Sequence, residues 1–197
     1  MTIKPRTEQR KSRIRSVLAR RQKDLTLIIN NVHDPHNVSA ILRSCDAFGI
    51  PLVHLLYTCN VFPALGKKSS ASAKKWVERK RHLSVSALAG DISLQGFKMV
   101  RTGFSSEAVP VYDWDFTVPT AVILGNEHSG VEEGLKSVVK NEIYIPMHGM
   151  VQSLNVSVAA AVILYEAFRQ RSKAGCYDRP SLSAHEIEEH FNEWIKK

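Results

Sequence analysis

Apolar segments of strand length recur along this chain, each followed by a stretch with helical spacing, and that alternation limits its fold more than any other feature. Leu25 to Ile29, Leu52 to Tyr57, Lys98 to Thr102, Ala121 to Leu124 and Glu142 to Ile145 read as strands. Val38 to Phe48, Ser70 to Trp76, Val85 to Leu94, Val131 to Val139 and Asn155 to Arg171 read as helices. Strands that alternate with helices predict an α/β fold, a mostly parallel sheet with helices on both faces. With 197 residues, 44% of them hydrophobic, the chain can bury one substantial core, so one domain with appendages is expected.

The appendages stand out by charge. Residues 1–24 form a basic arm that carries Lys4, Arg6, Arg10, Lys11, Arg13, Arg15, Arg20, Arg21 and Lys23 against Glu8 and Asp24. Ile14, Val17 and Leu18 give it a narrow apolar stripe, as in a short helix that docks on the body and shows its charged side. A second basic cluster comprises Lys67, Lys68, Lys74, Lys75, Arg79, Lys80 and Arg81 against Glu78. The formal net charge of +8 is concentrated in these two patches, leaving the remainder acidic. They suit either a solvated face or a phosphate backbone, where each neutralised phosphate releases counterions. Residues 176–197 form the other appendage, an amphipathic helical tail with Ile187, Phe191, Trp194 and Ile195 on one side. It could pack on its own body or on a partner subunit.

Several function classes fall away. No two of the ten glycines are separated by a single residue, so the dinucleotide-binding G-x-G-x-x-G is absent. Gly125 and Gly130 have the spacing of a phosphate-binding P-loop, but Val131 and Glu132 stand where Lys and Ser/Thr are required. The strand ending at Leu124 instead runs into a glycine that permits close approach to the backbone. His33, His36, His128 and His148 make no H-x-x-x-H or H-E-x-x-H pattern, so no metal is expected and they read as polar loop residues. Cys45, Cys59 and Cys176 are odd in number and lack C-x-x-C spacing, which fits reduced thiols in the cytoplasm. No apolar run reaches the roughly 20 residues of a membrane span, and no signal core follows the basic N-terminus.

One segment invites a ligand. From Ile145 to Ala159 the chain leaves a strand at Pro146, which cannot donate to a ladder, bends at Gly149, and enters a helix past Ser153 and Asn155. Spacing alone allows an ordinary helix cap or a binding turn. The run Gln152 to Ala159, preceded by Ile145-Pro146-Met147, resembles the third motif of the SPOUT-class RNA ribose methyltransferases. Asn31 to Gly49 and Ile123 to Val131 resemble that family's other motifs, in the family order. The similarity covers roughly residues 25–175 and is closest to the TrmH-type tRNA (guanosine-18-2'-O)-methyltransferases.

This resemblance implies a SPOUT methyltransferase domain over residues 25–175 with a C-terminal trefoil knot, a topology that general rules disfavour. It implies S-adenosyl-L-methionine cradled by three loops, with contacts at Thr102, at Leu124 and Gly125, and at Ile145, Met150 and Leu154. Arg43 matches the catalytic arginine, and Asn37, Glu127, Ser153 and Asn155 match positions that shape the site. In the family the arginine assists deprotonation of the 2'-hydroxyl. Arginine stays protonated in proteins, so a phosphate clamp that orients the hydroxyl is the physically easier role for Arg43. For Asn37 the alternative is a helix N-cap, and for Arg43 a surface ion pair with Asp46. The resemblance further implies a homodimer formed through the helix from Val156 to Arg171. The expected substrate is guanosine 18 in the tRNA D loop; alternatives are ribosomal RNA, another tRNA nucleotide, or a non-enzymatic RNA-binding role.

Overall fold

A computed structural model describes residues 7–59, 61–63 and 73–197, with Lys74 described by its backbone alone. Within them lie the strands β1 (Leu25–Asn30), β2 (Leu52–Leu56), β3 (Glu78–His82), β4 (Lys98–Thr102), β5 (Val109–Pro110), β6 (Thr120–Leu124) and β7 (Glu142–Tyr144). They form one sheet in the order β3-β2-β1-β6-β4-β7-β5, every pairing parallel. The helices are α1 (Glu8–Leu18), α2 (Pro35–Ala47), α3 (Ala73–Trp76), α4 (Val85–Leu94), α5 (Glu133–Val138), α6 (Val156–Lys173) and α7 (Ala184–Trp194).

Period-two alternation sorts the central strands between two helical layers. Leu25, Leu27 and Ile29 of β1 and Val122 and Leu124 of β6 pack with Ile41 and Leu42 of α2 and Ala160, Ile163 and Leu164 of α6. Ile28, Ala121 and Ile123 face the other way, onto Leu88 and Ile92 of α4 and Leu135 of α5. Each of these valine, leucine and isoleucine side chains contributes roughly 1.5–3 kcal/mol when taken fully out of water. The expected α/β class with a mostly parallel, doubly covered sheet is therefore what forms.

Two strands escape the sequence pattern, for opposite reasons. β3 reads Glu78-Arg79-Lys80-Arg81-His82 with four exposed side chains, so it carries no apolar alternation; backbone pairing with β2 makes it a strand. Its charges also discourage another strand from adding to that sheet edge. β5 has two residues at the opposite edge, where Pro110 is tolerated. The helix expected over Ser70 to Trp76 is seen from Ala73 onward; residues 70–72, like Lys67 and Lys68, lie outside the described residues.

α2 starts before Asn37, which corrects the N-cap reading of that residue. Asp34 is the cap, accepting a hydrogen bond from the His36 amide at 2.8 Å, and Pro35 occupies the first turn, where its missing N–H costs nothing. Asn37 is left buried with its side chain free for tertiary use.

The two appendages meet. Ile14 and Leu18 of α1 cluster with Phe191 and Trp194 of α7, and Trp76 packs beside them. α7 thus docks on its own chain, started by a capping box between Ser183 and Glu186. Not every basic residue of the arm faces outward: Arg21 is buried, donating to Asp46 at 2.6 Å and to the carbonyls of Ile50 and Trp76. Asp46 is thereby taken, and the Arg43–Asp46 ion pair does not form.

Candidate active-site cleft

A cleft of about 380 Å³ opens at the carboxyl ends of β4, β6 and β7, where parallel sheets generally offer ligand space. Thr102, Leu124, Gly125, Ile145 and Leu154 line it, with Glu127, Ser153 and Asn155. Met150 does not; it stands almost wholly in solvent, 99% exposed. Phe104, Val111, Ile143, Val156 and Ile163 supply further apolar wall.

Each wall has a local cause. The Thr102 hydroxyl donates to the Ile123 carbonyl at 3.1 Å, tying the end of β4 to β6 where both strands reach the cleft. After β6 the chain folds back on itself: Asn126 and Gly130 exchange backbone hydrogen bonds at 2.9 and 3.0 Å, with Gly130 at φ +68°. A Cβ on Gly125 would lie 2.2 Å from the Gly130 carbonyl carbon, so the close approach that needs glycine here comes from the protein's own loop. Gly149 is not left-handed and a side chain there would meet open space, so the bend after Pro146 does not depend on it.

A polar chain runs from this loop to α2 and α6. Asn37 Nδ2 donates to Glu127 Oε1 at 2.8 Å, and Asn155 Nδ2 donates to Asn37 Oδ1 at 3.0 Å. Asn155 also caps α6, accepting from the amide and hydroxyl of Ser157. Burial raises the pKa of Glu127, but hydrogen bonds from Asn37 and from backbone amides including His33 outweigh it, holding the carboxyl below its ordinary value. Glu127 is thus an anion at neutral pH, aimed by α2.

Residues that sequence reading left unassigned set the height of this loop. Glu132 Oε2 accepts from Asn30 at 2.9 Å, Asn31 at 2.8 Å and Thr58 at 2.5 Å, while the Glu132 amide donates to Asn30 Oδ1. Asn126 Nδ2 donates to the Asn31 carbonyl at 2.7 Å, and its Oδ1 accepts from the amides of His128 and Ser129. The only local signal was a pair of asparagines ending a buried strand; Asn31 sits at φ +53°, a conformation asparagine tolerates better than most.

Arg43 lies six residues beyond Asn37 on α2, exposed, outside the cleft, and without a hydrogen bond or ion pair to the described residues. Ser153 is exposed at the rim, and His33, His36, His128 and His148 are all exposed. One chain therefore brings together Asn37, Glu127, Ser153 and Asn155, and leaves Arg43 apart.

A strand-end cleft walled by three loops, with an amide–carboxylate chain beside it, is a small-molecule site at the carboxyl ends of a parallel sheet. The chain belongs to the SpoU rRNA methylase family, whose model matches residues 24–165. It is 45% identical over 195 residues to the tRNA (guanosine(18)-2'-O)-methyltransferase of Thermus thermophilus, covering 99% of this chain and 100% of that one. With the Escherichia coli K12 enzyme of the same name it shares 41% identity over 91% of this chain and 78% of the relative. Among solved structures, the A. aeolicus TrmH/SpoU tRNA modifying enzyme superposes with a TM-score of 0.88 at 39% identity, covering 96% of both chains. The SpoU methyltransferase AviRb from Streptomyces viridochromogenes, solved in complex with the cofactor AdoMet, matches at TM-score 0.69 and 27% identity, over 77% of this chain and 62% of that one.

Proposed function

We propose that the protein methylates the ribose 2'-hydroxyl of guanosine 18 in the tRNA D loop, using S-adenosyl-L-methionine. The observation that carries this reading is the 45% identity to a tRNA (guanosine(18)-2'-O)-methyltransferase, nearly end to end in both chains. Residues 25–175 are the catalytic unit, the C-terminal part threaded as a trefoil knot, with residues 1–24 and 176–197 as basic arm and helical tail. A cytoplasmic location goes with a tRNA substrate; no helix among the described residues is long and apolar enough to cross a membrane.

The cleft fits the cofactor. Its volume lies within the roughly 300–1,000 Å³ of small-molecule sites, and its wall mixes apolar side chains with polar ones such as Asn126, Ser153 and Asn155. Thr102, Leu124, Gly125, Ile145 and Leu154 hold the cofactor there; Met150 belongs to the same loop but stands outside the cleft. When bound, S-adenosyl-L-methionine supplies an electrophilic methyl on a sulfonium. The chain's own groups position the other reactant. A 2'-hydroxyl is a poor nucleophile near neutral pH, so aiming it accounts for much of the barrier reduction. Glu127, Asn37 and Asn155 form a hydrogen-bonded wall beside the cleft, and Ser153 offers a hydroxyl at its rim. Arg43, with every donor unused among the described residues, clamps an RNA phosphate and stabilises charge developing on the attacking oxygen.

Arg43 and the cleft work together in a homodimer. Val158, Val162, Tyr165 and Phe168 form an exposed apolar stripe at helical spacing along α6, 37–59% exposed, a face suited to a self-complementary contact. Through it the arginine and basic arm of one subunit serve RNA held against the other's cofactor.

The test is methyl transfer from labelled S-adenosyl-L-methionine to an unmodified tRNA transcript, with a G18-substituted transcript and ribosomal RNA fragments in parallel. Incorporation that disappears with the G18 change is expected. Transfer only to ribosomal RNA or to another tRNA nucleotide moves the site, and failure to bind the cofactor in calorimetry leaves an RNA-binding role.

A further inference from the structure

His54, His82 and Asp91 come together on the sheet face away from the cleft. His54 and His82 lie on adjacent parallel strands two register positions apart, since His54 pairs with Lys80 and Leu56 with His82, so both rings project to one side. Asp91 on α4 reaches over them. His54 Nδ1 and His82 Nε2 are 2.9 Å apart, and Asp91 Oδ2 is 3.8 Å from the first and 3.7 Å from the second.

The arrangement is incomplete as a hydrogen-bonded group. His54 is 0% exposed and its Nε2 is enclosed without a partner among the described residues, so within them Nδ1 is the ring's one polar outlet. Asp91 Oδ2 is likewise enclosed and unpartnered among the described residues, although Oδ1 accepts from Lys80 Nζ at 2.8 Å. A buried carboxylate oxygen without a donor is costly, and the two ring nitrogens nearest to it stand beyond hydrogen-bond distance and face each other instead.

The geometry points to a divalent-cation site at His54 Nδ1, His82 Nε2 and Asp91 Oδ2, of the zinc class, that pins α4 to β2 and β3. Two imidazoles and a carboxylate suit zinc, with water in the fourth position. Ligands about 2.0–2.1 Å from a tetrahedral ion stand roughly 3.3 Å from one another. Closing the two long separations and opening the short one takes shifts of about half an ångström, within reach of ring and carboxylate rotations. Lys80 opposes binding, since its ammonium holds the other oxygen of Asp91; its side chain is half exposed and free to swing out.

The site is independent of the methyltransferase reading and is tested without it. The full chain, freed of metal with a chelator, is titrated with Zn²⁺ by calorimetry and with Co²⁺ by visible absorption. The expected result is one equivalent bound, a tetrahedral Co²⁺ spectrum without a thiolate band, and a melting temperature that rises with zinc. His82→Ala and, separately, Asp91→Asn weaken binding by more than the roughly 10–100-fold that follows loss of an outer-shell partner. Lys80→Met tightens it. His190→Ala, which breaks an exposed Glu78–His190–Glu193 cluster, leaves it unchanged. Circular dichroism confirms that each variant is folded. No binding by the wild-type chain, full binding by either His82→Ala or Asp91→Asn, or loss with His190→Ala overturns the proposal.

Discussion

Arg43 and Arg171 lie on α2 and α6, helices packed against each other on one face of the sheet, yet their surroundings are opposite. Arg171 is fully buried, and its guanidinium donates to the Phe116 carbonyl at 2.8 Å, to Gln22 Oε1 at 2.8 Å and to Asp24 Oδ1 at 2.7 Å. It ties the start of β1 to the end of α6 and to the turn before β6. Arg43 is exposed, with no such bond among the described residues. A buried guanidinium must have its donors satisfied within the protein or the fold is penalised, whereas an exposed one is satisfied by water and its donors stay accessible to a ligand. The buried arginine and the proposed phosphate clamp therefore differ in what remains unused, a distinction that residue type and helical position leave open.

The largest effect that would break this contrast is Arg171→Met. It leaves Asp24 and Gln22 facing an apolar side chain and should cost about 3–5 kcal/mol, a large share of a typical 5–15 kcal/mol, read from the urea midpoint. An unchanged midpoint would mean that the buried network carries no weight. Arg43→Ala should keep the midpoint within about 0.5 kcal/mol while methyl transfer falls about 10²–10³-fold. Loss of both together would make Arg43 a second structural arginine. Arg43→Lys sharpens the point, because a lysine that restored transfer would rule out a bidentate clamp.

Between these extremes lies Asn37, buried yet bonded to two residues of the proposed site. Asn37→Ala strips a partner from both Glu127 and Asn155, with an expected cost of about 1–2 kcal/mol and a smaller loss of transfer than Arg43→Ala. The smallest effect concerns Glu127 and pH. Its pKa is lowered below 4.5 in the folded protein, so its hydrogen bonds stabilise the fold fully above pH 4.5 and less as the pH falls through the folded value. The stability difference between wild type and Glu127→Gln should be constant above pH 4.5 and shrink below it. Its size should stay under about 1 kcal/mol, because the carboxylate is exposed to solvent.

Much of this molecule is written locally. Short apolar runs placed β1, β2, β4, β6 and β7 within a residue or so of their ends, and Val85–Leu94 and Lys98–Thr102 coincide with the expected spans. Alternating elements were enough for a doubly covered parallel sheet, because each strand and helix must bury its own apolar side. The three motif segments were also legible as motifs, since they are contiguous stretches.

The tertiary structure decided the rest, wherever the outcome depended on a partner far along the chain. β3 is a strand by pairing with β2, although its own residues are charged. Arg21 looked like one more cation of a basic arm until Asp46 and two carbonyls enclosed it. Asn37 could have capped a helix; Asp34 does so, which frees Asn37 to join Glu127, 90 residues away, and Asn155, 118 residues away. Gly125 needs to be glycine because Gly130 folds onto it, and His54 meets His82 only through the register of two parallel strands. Helical and strand periods are properties of neighbouring residues, so composition and spacing carry them. Register, burial of charge and convergence of loops arise from long-range contacts that only the folded chain creates.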